Sequence, residues 1–87
     1  MTSKKLLEEI AKIIEALTAL KDDESVPKNV RAKIESIIAE IQDDSDLSLK
    51  VGKSLHSLDE ISEDMNLQPF IRTQVWNVSS MLEKLNK

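Results

Sequence analysis

Eighty-seven residues make a single domain, too short to hold a second core. Leu, Ile and Val are plentiful, Gly, Pro and aromatics are scarce, and 32% of the residues are charged, which argues against both a disordered chain and a sheet. A net charge of −4 and the lack of cysteine weigh against nucleic-acid partners, disulfides and thiol chemistry.

Leu6, Ile10, Ile14, Leu17 and Leu20 recur at helical spacing and predict a first helix over about 3–21. Ser3 is placed to cap it with its hydroxyl. Leu7, Ala11 and Ile13 widen the apolar stripe, so this helix is expected to be covered from two sides. Asp22, Asp23 and Glu24 break the pattern. Ser25 then offers a cap, and Pro27 suits a first turn because the N–H it lacks has no intrahelical partner there. Val26, Val30, Ile34, Ile37 and Ile41 predict a second helix over about 26–42.

Asp43, Asp44, Ser45 and Asp46 make the next break. Leu47, Val51, Leu55, Leu58 and Ile61 predict a third helix over about 46–64. Gly52, the only glycine, falls inside it, where it permits either a close helix contact or an irregular first turn. Asn66 stands where Ser25 stood, and Pro69 opens a fourth helix over about 67–86. Its stripe is Leu67, Ile71, Val75, Val78 and Leu82. Lys84 and Lys87 suit the negative pole at its end.

The second half echoes the first. Shifted by 41 residues, as from Arg31 to Arg72, both apolar stripes coincide. The chain therefore reads as one all-α domain, 1–87, built from two antiparallel helical hairpins at 3–42 and 44–86. The competing reading is a plain four-helix bundle with chance periodicity. A proline just before a V/I-R pair, at Val30-Arg31 and Ile71-Arg72, resembles HEAT-type repeats, whose period is similar. Two such repeats are fewer than a solenoid needs, so the hairpins are expected to close on each other or to dimerise. The runs VPKNVR, LDEIS and VWNVSSMLE resemble a family of small, uncharacterised archaeal helical proteins of the UPF kind. That resemblance implies an archaeal, cytoplasmic helical bundle and carries no function with it.

No constellation of catalytic, cofactor-binding or metal-binding residues can be assembled. His56 is the only histidine, and di-iron bundles want Glu-x-x-His from two helices. Zinc lacks its Cys and His ligands. The acidic turns read as caps, and DDSDLSLKVG lacks the glycine a calcium loop needs at its sixth place. Arg31 and Arg72, the only arginines, read as structural forks bridging carboxylates or helix-end carbonyls. No apolar run approaches the roughly 20 residues of a membrane span. The expected function is a cytoplasmic, non-catalytic interaction or scaffold module, acting on a protein partner or as a homodimer. The alternative is a small-ligand carrier or enzyme with a cleft between the hairpins. The expected partner contacts are Phe70, Thr73, Trp76, Asn77 and Met81, because Phe70, Trp76 and Met81 are large apolar residues outside the shared stripe. Trp, Met and Phe favour interface cores.

Overall fold

The computed structural model describes residues 3–44 and 46–85. It has four helices: α1 (Ser3–Lys21), α2 (Lys28–Gln42), α3 (Leu47–Ser62) and α4 (Pro69–Leu85). Successive helices are joined by short turns and pack side by side, and α1 closes against α4. Short connections between touching neighbours make the helices antiparallel. Among the described residues, α1 and α3 lie diagonally across the ring, as do α2 and α4. The two hairpins thus close on each other into a ring, one of the two outcomes expected for so short a repeat. A two-hairpin stack would leave apolar faces open at both ends, whereas the ring covers them.

The core is aliphatic. Leu17, Ile34, Leu58, Val75 and Leu82 are fully buried, and Ile13, Ile37, Ile61, Ile71 and Val78 surround them. Two expectations shift. Ile14 and Leu55 are only half-buried against the core, and the fully buried places one residue earlier are taken by Ile13 and Ser54. The cause is the ring. Each of these helices packs against two neighbours, so its buried arc turns toward the line between them. The second shift is at the helix starts. Val26 and Leu67 are buried but belong to the preceding turns, where their N–H groups donate to Asp23 O and Asp64 O, both at 3.2 Å.

The two turns within the hairpins are built alike. Arg31 Nε donates to Lys21 O at 2.8 Å and its Nη2 to Asp23 O at 3.2 Å. Arg72 Nε donates to Ser62 O at 2.9 Å and its Nη2 to Asp64 O at 2.9 Å. Each fork thus satisfies carbonyls left over at the end of the preceding helix. Ser25 and Asn66 do not cap a helix. Their N–H groups each donate to the carboxylate two residues back, Asp23 and Asp64, at 2.8 Å. The Ser25 hydroxyl adds a bond to Asp23 Oδ1 at 2.7 Å. That hydroxyl, with the backbone N–H behind it, holds the Asp23 carboxyl below the usual carboxylate range. Asn29 Nδ2 reaches Asp64 Oδ2 across 3.2 Å, tying the start of α2 to the α3–α4 turn. Both Arg-clamped turns therefore lie at one end of the bundle.

At the other end the link between hairpins is short. Asp46 caps α3 by accepting from Leu49 N at 3.2 Å. Lys50 Nζ donates to Asp43 O at 2.8 Å, closing the end of α2. The cap expected from Ser3 and the charge expected at Lys87 lie outside the described residues and side chains, as does Ser45.

Gly52 makes no close helix contact. A methyl group built there meets nothing within 4 Å, so only the helix penalty of glycine remains. Gly52→Ala is expected to raise stability by about 1 kcal/mol, seen as a higher midpoint in a urea melt with an unchanged slope.

Candidate functional site

Between Pro69 and Leu82 the only charged residue is Arg72, and its guanidinium is spent on the turn carbonyls. The outward surface of α4 is therefore neutral over about four turns. The other three helices each carry several charges of both signs. Both aromatic residues of the chain sit on this neutral surface. Phe70 is 67% exposed and Trp76 56%. Thr73 and Asn77 are exposed beside them, and Thr73 Oγ1 bonds only back to Pro69 O at 3.1 Å.

The five expected contact residues do not all behave alike. Phe70 leans toward α1, beside a shallow groove lined by Ala16, Ala19 and Gln74. Trp76 leans the other way, over Leu55, Leu58 and Asp59 of α3. Thr73 lies between them. Met81 is half-buried and packs on the core, so it belongs to the bundle more than to the surface. Arg31 and Arg72 close turns, as described above.

A second feature escaped sequence reasoning. Ser54 is buried, 1% exposed, and its hydroxyl has no hydrogen-bond partner. It borders a groove of about 280 Å³ between α2 and α3, with Ile37, Glu40, Lys53 and His56 around it. At the corresponding seam between α1 and α4 the equivalent positions hold Ile13 and Met81, and a groove of about 290 Å³ lies nearer Phe70. The signal was present in the sequence as the one polar residue at a buried place of the repeat. The expected register, one residue off, hid it. His56 itself is on the surface, 3.9 Å from Glu60. Among the described residues no group of three or more His, Asp or Glu side chains is placed to hold a metal, and no helix is long and apolar enough to cross a membrane.

A family model for UPF0147, described as an uncharacterised protein family, matches residues 1–85. The chain belongs to the UPF0147 family. A UPF0147 protein of Archaeoglobus fulgidus is 36% identical over 84 residues, covering 97% of this chain and 93% of the relative. One from Methanosarcina acetivorans is 35% identical over 86 residues, covering 98% and 89%. The crystal structure of the unknown-function protein MMP1188 has a TM-score of 0.83 at 29% identity, covering 88% of this chain and 89% of that one. The archaeal helical family expected from the sequence runs is thus the one found. The UPF0147 relatives carry no activity in their names, so the reading of function rests on the surfaces above.

Proposed function

We propose that this chain is a non-catalytic protein-interaction module whose contact surface is the outward face of α4. One observation carries the reading. The helix face of Pro69–Leu82, whose single charge is spent on the turn, is also the one that exposes both aromatics, Phe70 and Trp76. Interface cores are depleted of charge and enriched in aromatic residues, and Trp often dominates their energy. Nothing in the folding of the bundle demands this composition, because the core is closed by aliphatic residues without Phe70 or Trp76.

The groove at Ser54 supports a ligand-carrier reading through its unpartnered hydroxyl. It is the weaker reading, because the groove is open and its charged rim, Lys53 and Glu40, is already paired at 3.8 Å.

Site-specific photo-crosslinking tests the module reading. A photo-reactive residue at position 77, on the neutral face, is expected to give discrete protein adducts in a lysate of the native host. The same residue at position 33, on the charged face of α2, is expected to give none. Equal labelling from both positions, or none from 77, overturns the assignment.

A further inference from the structure

Among the described residues, the Ser54 hydroxyl is the one buried side-chain polar group without a hydrogen-bond partner. An orphan of this kind costs free energy, and each instance in a folded chain needs a reason. The repeat supplies none. The equivalent place in the first hairpin holds Ile13, which is fully buried, so this fold accepts an aliphatic side chain there. The contact surface on α4 supplies none either, since Ser54 lies on α3.

Beside the hydroxyl runs the groove of about 280 Å³ between α2 and α3. Ile37 gives it an apolar wall, and Ser36 and Ser57 bring further hydroxyls. Its ionic groups are matched. Lys53 and Glu40 face each other at 3.8 Å, and His56, when protonated, has Glu60 at 3.9 Å. The groove thus offers apolar surface and an unused hydroxyl, with no unmatched charge. A charged ligand would find no counter-ion there, whereas an uncharged one with a single polar atom leaves nothing unpaired.

Size narrows the occupant further. Pockets of about 300–1,000 Å³ enclose drug-sized molecules, so this smaller groove suits one ring or a short chain. Serine both donates and accepts, so a hydroxyl or a carbonyl on the ligand completes it. The oxygen is shut off from solvent in the free chain. The Lys53–Glu40 pair beside it is exposed and long, a kind of pair that holds weakly, and it is the part of the rim free to move aside.

We infer that the α2–α3 groove binds a small uncharged molecule with an apolar body and one hydroxyl or carbonyl, which pairs with Ser54 Oγ. No residue of α4 lines this groove, so the site stands or falls without the module reading.

Titrating the full chain with cyclohexanol and cyclohexanone, read by amide chemical shifts, tests it. Both probes are expected to give saturable shifts centred on Ile37 and Ser54, half-complete at about 10 mM. Cyclohexanecarboxylate and cyclohexylammonium are expected to bind at least about 10-fold more weakly. Ser54→Ala separates a binding role from a structural one. It removes the orphan, so the free variant is expected to melt no earlier than wild type, yet to bind cyclohexanol about 10-fold more weakly.

Shifts that fail to saturate by about 100 mM, or that centre elsewhere, overturn the site. So does a charged analogue that binds as tightly as cyclohexanol. A Ser54→Ala variant that binds like wild type, or that melts earlier without ligand, overturns the role of the hydroxyl and the inference with it.

Discussion

Ile34→Ala is expected to lower the stability of the bundle by about 2–5 kcal/mol. Ile34 is fully buried at the middle of α2, among aliphatic neighbours that have no aromatic ring to swing into the space. Its truncation removes buried methyl groups and leaves a cavity that close-packed helices fill only in part. Small domains hold about 5–15 kcal/mol in total, so the variant should melt far earlier in urea with the slope unchanged. Ile14→Ala provides the internal control. Ile14 is half-buried at the bundle edge, so its truncation should cost clearly less. Equal losses from both would show that the buried arc of α1 and α2 is not the one described.

Arg72→Ala is expected to cost about 2 kcal/mol, and Arg31→Ala a similar amount, since bonds from charged donors contribute about 1.5–3 kcal/mol. Each substitution leaves the helix-end carbonyl of Lys21 or Ser62 without the guanidinium donor, while Asp23 O and Asp64 O lose one of two donors and keep the N–H of Val26 and Leu67. The carbonyls are only half-shielded, so water offsets part of the loss. Arg→Lys should recover little, because a single ammonium cannot present the planar fork that reaches two carbonyls at once. Urea melts of the four single variants measure this directly. A Lys variant as stable as wild type would mean that charge near the helix end, rather than the fork, holds the turn.

The spacing of aliphatic residues announced four helices and three turns, because a helix needing one buried face must repeat its apolar residues every three or four places. The paired arginines were equally legible. Arg31 and Arg72 stand at one place in each hairpin, beside turns full of carbonyls and carboxylates. Closure of the hairpins on each other was expected alongside dimerisation, but which faces meet was not legible, since a single stripe does not say how many neighbours share it. Hence Ile14 and Leu55 were expected where Ile13 and Ser54 lie. The starts of α2 and α4 were placed two residues early, because Val26 and Leu67 continue the stripe although their backbones belong to the turns. The α4 face was visible as a disagreement between the halves, with Phe70 and Trp76 standing where the first hairpin has Asn29 and Glu35. Its division between two flanks needed the neighbouring helices.

The unequal seams bear on how the bundle tolerates change. The α2–α3 seam, with Ser54 and its groove, joins helices that are consecutive in the chain and separated by only a few residues. A short tether keeps its two sides at a high effective concentration, so it tolerates a polar residue at a buried place. The α1–α4 seam joins the most distant parts of the chain and has no tether of its own. Only contact holds it, and there Ile13 and Met81 stand in place of Ser54 and Glu40. Covalent continuity on one side of the ring thus stands where apolar side chains stand on the other. Lengthening the 43–46 link would shift the demand onto the side chains of α2 and α3, where an isoleucine at position 54 would become an asset.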